Sequence, residues 1–123
     1  MSISDYLEPK ILDAVFNNTS PAVASVYAKL HTGDPGEAGT ANAFADTTRI
    51  VTSWAAASGG TITTDAATTW TNLSSGGTLT HISLWDASTA GNHLWNGALT
   101  SSKTVNAADD FTIATGDIDV TLD

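Results

Sequence analysis

Short runs of alternating apolar and polar residues fill most of this 123-residue chain and restrict the folds open to it. From about residue 22 onward these runs recur roughly every ten residues, separated by turn-forming Gly, Asn, Asp and Ser. In the clearest run, residues 78–86, Leu79 and Trp85 alternate with Ile82 and Leu84. The first pair is therefore expected on one face of the strand and the second pair on the other. The pattern predicts a mainly β fold, an antiparallel β-sandwich or jelly-roll-like domain of about seven or eight strands over residues 22–123.

Only the N-terminus shows the period of a helix. Leu7 and Ile11 share one helical face, and Phe16 flanks that face. Ser4 is a candidate N-cap, and Pro9 is tolerated only in a first turn. We therefore predict one short α-helix over about residues 4–16, whose apolar stripe is a candidate contact with a partner.

The densest turn signal opens a long loop. Residues 32–36 read Thr-Gly-Asp-Pro-Gly, and the loop continues to about residue 47. Connections of about 15 residues are long for a compact domain and are often functional or mobile. We predict a contact arm whose removal weakens partner binding and leaves the fold intact, with candidate contact residues Asp34, Pro35, Glu37 and Phe44.

Charge excludes two classes of partner. The chain has 13 acidic and four basic side chains, a formal net charge of -9, and no cysteine. Binding to nucleic acids or anionic membranes needs clustered Lys and Arg, so we expect neither partner. The length suits one domain, residues 1–123, and no signal peptide or membrane span is visible, which indicates synthesis in the cytosol.

Motifs that carry chemistry are missing. The chain has no Gly-x-Ser-x-Gly nucleophile elbow, and its three histidines, His31, His81 and His93, lack the helical spacing of a metalloprotease. We therefore predict no catalytic residue, no metal site and no cofactor. Paired acids, such as Asp117 with Asp119, leave a bound divalent cation as an alternative.

Four tryptophans are many for a domain of this size. They could fill the core or an interface between subunits, which we favour, or they could line a sugar-binding platform. The aromatic candidates are Trp54, Trp70, Trp85 and Trp95.

Five segments together resemble a known family. They are residues 4–16 (SDYLEPKILDAVF), 27–36 (YAKLHTGDPG), 80–87 (THISLWDA), 94–100 (LWNGALT) and 116–120 (GDIDV). The chain is thereby similar, nearly end to end, to small virion structural proteins of tailed bacteriophages and prophages. Members of that family are variously labelled head decoration, minor capsid or tail-fibre proteins.

The resemblance implies a virion component, made in the bacterial host cytoplasm, without enzyme activity. We expect a head decoration or cement protein that binds the major capsid protein, or another virion protein, on the outer capsid surface as a homo-oligomer, with a trimer favoured. The alternative is a tail-fibre or tail-tip component, with a role in binding carbohydrate on the host surface.

Overall fold

The computed structural model describes residues 2–122. Within them the chain forms nine strands and one helix, which confirms the predicted mainly β fold class. The elements are β1 (Ser2–Ile3), α1 (Leu7–Phe16), β2 (Tyr27–His31), β3 (Ile50–Val51), β4 (Thr61–Thr63), β5 (Thr68–Trp70), β6 (Gly77–Trp85), β7 (His93–Val105), β8 (Phe111–Ile113) and β9 (Asp119–Thr121).

Five strands form an antiparallel main sheet in the order β1-β7-β6-β2-β3. The other four form two separate antiparallel ladders, β4-β9 and β5-β8. Leu30 and Leu84 from the main sheet pack in one apolar cluster with Trp70 and Ile113 from the β5-β8 ladder. The ladders therefore form a second layer over one face of the main sheet, as in a sandwich.

The pairing of β6 with β7 is irregular near residue 80. Leu79 is opposite Lys103, but His81 is already opposite Ala98, so β7 carries three residues more than β6 in this interval. Such a bulge breaks the strict alternation of faces. Leu79, beside this irregularity, is fully buried and belongs to the same apolar cluster as Ile82 and Leu84.

The predicted strand over residues 49–55 is interrupted because the chain changes layers there. Ile50–Val51 pairs with β2 of the main sheet, whereas Trp54 bridges to Thr64 beside the β4-β9 ladder. β1 has two residues, which is too short for a periodic pattern to reveal.

The helix begins at Leu7 rather than near residue 4. The backbone amides of Leu7 and Glu8 both donate to the carbonyl of Ser4, and the Leu7 amide also lies 3.2 Å from Ser4 Oγ. Pro9 occupies the third helical position, where its missing amide breaks no intrahelical hydrogen bond.

Burial predicts where the fold is most sensitive to truncation. Leu30 is fully buried in the centre of the main sheet, whereas Val51 on edge strand β3 is 56% exposed. We expect Leu30→Ala to lower the free energy of unfolding by about 2–5 kcal/mol. Val51→Ala should change it by about 0.5 kcal/mol or less. Urea denaturation followed by tryptophan fluorescence measures both, and equal losses would contradict the assigned core.

Candidate functional site

The face of the main sheet turned away from the core carries polar and aromatic side chains. Residues directly opposite in neighbouring strands share a face, and here Ser83 lies opposite both Lys29 and Asn96. Ser83 and His31 are fully buried, and Asn96 is 4% exposed. The chain segment that covers them is residues 32–49, called here the covering loop.

A chain of hydrogen bonds joins the sheet to this loop. Trp85 Nε1 donates to Ser83 Oγ at 2.7 Å, and Ser83 Oγ lies 2.7 Å from His31 Nε2. His31 Nδ1 lies 2.9 Å from the carbonyl oxygen of Ala41. A carbonyl can only accept, so Nδ1 carries the proton and Nε2 accepts from the serine hydroxyl. Every polar atom of this relay is thereby satisfied away from water.

Two further side chains hold the loop. His93 Nδ1 lies 2.7 Å from the carbonyl oxygen of Glu37, and Asn96 Nδ2 donates to the carbonyl of Gly36 at 3.0 Å. Buried hydrogen bonds of this kind are costly to break, because each lost partner leaves an unsatisfied polar group. The covering loop is thus attached to the sheet at three backbone carbonyls, those of Gly36, Glu37 and Ala41.

The Thr-Gly-Asp-Pro-Gly motif shapes the start of the covering loop. Asp34 Oδ1 accepts from the amide of Gly36, and Asn42 Nδ2 donates to the carbonyl of Asp34. Gly39 has φ +71° and lies so close to His93 and Trp85 that a Cβ atom there would be 2.5 Å from the His93 ring. Only glycine combines this backbone conformation with this close approach.

The end of the covering loop is held by Phe44 and Asp46. The Phe44 amide donates to the carbonyl of Leu30 at 3.1 Å, and its side chain is 1% exposed. The Asp46 carboxylate accepts from the amides of Ser74 at 2.9 Å and Thr48 at 3.0 Å. These hydrogen bonds, that from Ser74 first, hold the pKa of Asp46 below its ordinary value.

Arg49 fixes the turn between β6 and β7. Its guanidinium lies 4.1 Å from the centre of the Trp85 ring, a cation–π contact. The same group donates to the carbonyls of Ala87 at 2.8 Å and Ala90 at 2.7 Å. Arg49 therefore stabilises the turn between β6 and β7 and is not part of a basic surface.

The predicted contact residues of the loop fall into two groups. Asp34 and Glu37 are exposed, but Pro35 and Phe44 are buried inside the protein. The prediction of a separable arm is therefore wrong, because deleting residues 34–45 would uncover the polar face of the sheet. Any partner contact in this region has to be made by the outer surface of the loop.

The predicted helix contacts are also divided. Leu7 and Ile11 are half-buried and, with Ile62 and Val120, line an apolar groove between α1 and the β4-β9 ladder. Phe16 is 78% exposed, and its neighbours on the helix surface, Leu12 and Val15, are 58% and 71% exposed. The end of α1 therefore presents three large apolar side chains to solvent.

The tryptophans lie inward. Trp70, Trp85 and Trp95 are 1%, 6% and 5% exposed, and Trp54 is half-buried with Nε1 donating to Thr52 Oγ1. Trp70 packs in the core and donates to the carbonyl of Thr48 at 2.9 Å. These positions do not form an exposed platform of stacked tryptophans.

The histidines are not assembled for catalysis. The Ser83–His31 pair has the hydrogen bond of a nucleophile and its base, but both residues are fully buried, so no substrate reaches Ser83 Oγ in this conformation. His81 contacts the hydroxyl of Thr80 at 2.9 Å. Residues 2–122 contain no group of three or more His, Asp or Glu side chains that could hold a metal ion.

Sequence reasoning missed Ser83, Asn96 and Arg49. Ser83 sits between Ile82 and Leu84, and a small polar residue inside an apolar strand is a usable signal of a buried hydrogen bond. Asn96 and Arg49 gave no such signal, since their partners are backbone carbonyls at 60 and about 40 positions distant in the chain.

Comparison with known proteins supplies the class and then the family. A family model described as podophage GP4 fiber I protein gp80 (Gp80) matches residues 2–121. The match shows a phage virion structural protein, which confirms the class expected from the resemblance. The chain belongs to this Gp80 family. No curated protein matches it. The fibre description agrees better with the alternative tail-fibre expectation than with head decoration.

In the described part of the chain, no helix is long and apolar enough to cross a membrane.

Two glycines of the covering loop test its contact with the sheet. Gly36 and Gly39 have φ of +73° and +71°, but a Cβ atom at Gly36 meets nothing within 4 Å, whereas one at Gly39 collides with His93. Gly36→Ala should cost about 1–2 kcal/mol of stability, the penalty of a left-handed backbone. Gly39→Ala should cost about 1–3 kcal/mol more, from overpacking. Chemical denaturation measures both, and equal costs would show that the loop does not rest on the sheet as described.

Acid should weaken the fold through His31. Burial, the largest cause, lowers the pKa of His31 below 6.5, although its hydrogen bond to Ala41 acts in the opposite direction. As pH falls below 6.5, the unfolded chain binds a proton that the folded chain refuses, so stability decreases by at most about 1.4 kcal/mol per pH unit. Asp46 acts only at lower pH, because its pKa is held below 3.8.

Two variants isolate this effect. His31→Gln removes the titrating group. The difference in unfolding free energy between this variant and the native protein should therefore shrink between pH 7 and pH 5.5, which lie about half a unit above and one unit below the ordinary histidine pKa. His81→Gln, which changes the partly exposed residue opposite His31, is the matched control for the loss of an imidazole from the same sheet. An unchanged pH profile in His31→Gln would contradict the assignment.

Proposed function

We propose that this chain is a non-enzymatic structural component of a podophage tail fibre, located on the virion. The observation that carries the proposal is the match of the fibre family model to residues 2–121. The match covers nearly the whole chain, which supports a fibre role for the domain as a whole.

The structure supports a role in assembly over one in catalysis. The Ser–His pair is buried under the covering loop, and both of its residues contribute to the attachment of that loop. The exposed apolar residues at the end of α1, in contrast, form the kind of patch that soluble proteins reserve for protein contacts. We propose that the partners are other virion proteins and further copies of this chain, with a trimer favoured.

The excess of acidic residues fits the same role. A net charge of -9 keeps many copies soluble before assembly and disfavours contact with the packaged genome. Both effects suit a protein on the outside of the particle. They do not distinguish the head from the tail, and that distinction rests on the family match.

Localisation on the particle tests the proposal. Immunogold electron microscopy with antibodies against this chain should label the tail region of the virion, and mass spectrometry should find the chain in purified tails. Particles from a phage that lacks the gene provide the control for the antibody. Label spread over the head shell, with the chain absent from purified tails, would instead support head decoration and overturn the proposal.

A further inference from the structure

A cleft of about 700 Å³ opens on the side of the sandwich where β7 of the main sheet lies across from β8 and β9 of the second layer. The bulge that gives β7 three extra residues lies on one wall, and β8 and β9 lie on the other. No strand pairing joins these walls in residues 2–122, because β8 pairs with β5 and β9 pairs with β4. The cleft therefore follows from the topology and has the size of a small-molecule site.

The cleft has an apolar floor and a polar rim. Trp95, Leu99 and Phe111 are among the residues of the floor, and the last two are only half-buried. The rim carries the hydroxyls of residues 100–102 together with Lys103, Asp117 and Asp119. A surface of this kind suits a ligand that has both an apolar face and hydroxyl groups.

The rim carboxylates differ from most other aspartates of the protein. Seven aspartates accept hydrogen bonds from the protein itself, namely Asp13, Asp34, Asp46, Asp65, Asp86, Asp109 and Asp110. Asp117 and Asp119 accept none from residues 2–122, although they lie on either side of the buried Ile118. The two carboxylates are thus available to a ligand at the edge of an apolar floor.

The charge of the rim selects the ligand class. Carboxylates repel phosphates and acidic sugars, and they accept strong hydrogen bonds from hydroxyl groups. The flat C–H face of a sugar ring matches an aromatic floor such as Phe111, and its hydroxyls match the rim. We propose that the cleft binds a neutral oligosaccharide. This site goes beyond the proposed fibre function and does not depend on where the chain sits on the virion.

Titration of the purified chain with defined sugars tests the site. The probes are maltotriose, cellotriose, chitotriose and mannotriose, with the anionic trigalacturonate for comparison. We expect at least one neutral sugar to shift backbone amide NMR signals of residues 98–103 and 110–121, and trigalacturonate to shift them less. No shift from any neutral sugar at about 10 mM, above the dissociation constant of even a weak millimolar complex, would overturn the proposal.

Three variants at exposed aspartates without protein partners separate the cleft from a general charge effect. Asp117→Asn and Asp119→Asn should each weaken binding by about tenfold or more, the value of a hydrogen bond to a charged group. Asp5→Asn removes the same charge at the start of the helix segment and should leave the affinity unchanged. Equal losses in all three would overturn the assignment.

Self-association is the competing use of the cleft. If a second copy fills it, the amide signals of residues 98–103 and 110–121 would change with the concentration of the protein alone and would not respond to sugar. That result would overturn the saccharide proposal. It would leave the fibre assignment untouched, because localisation on the particle is measured independently.

Discussion

The architecture depends on the two hydrogen bonds made by the hydroxyl of Ser83. It accepts from Trp85 and donates to His31, whose other ring nitrogen bonds the carbonyl of Ala41. A serine, a histidine and an indole nitrogen can be buried together only if each finds a partner, because an unsatisfied polar group in the interior is destabilising. The relay meets that condition only when the covering loop is in place. Sheet and loop are therefore parts of one structure, and the loop covers the second face of the main sheet around Ser83.

Enclosure of the sheet restricts where this protein can meet other molecules. One face packs against the second layer, and the other lies under the loop, so the residues most distinctive in sequence are mainly structural. What stays open is the apolar end of α1, the outer surface of the covering loop and the cleft beside β7. This division suits a member of a phage fibre family, whose domain must be rigid and must still present surfaces for assembly.

Sequence reasoning reached the fold class but only part of the site. The helix and the clearest strands were recognisable because their periodicity is local, as in residues 78–86 and Leu7 to Phe16. The role of the Thr-Gly-Asp-Pro-Gly segment was misjudged. Its turn residues identified a loop correctly, but they contain no information about the carbonyls of Gly36 and Glu37, which bond side chains on β7. The role of Arg49 could not be predicted for the same reason, because its partners are the backbone carbonyls of Ala87 and Ala90, far away in the chain.

The sequence by itself determined that the chain is mainly β, where it turns, that it carries a strong negative charge, and which family it resembles. Alternation with a period of two fixes strands whatever lies above or below them. The tertiary structure decided what covers each face. It buried Leu79 and Phe44 and left Phe16 exposed. These outcomes depend on contacts between residues far apart in the chain, and no local pattern records which distant segment will supply the missing hydrogen bond or apolar neighbour.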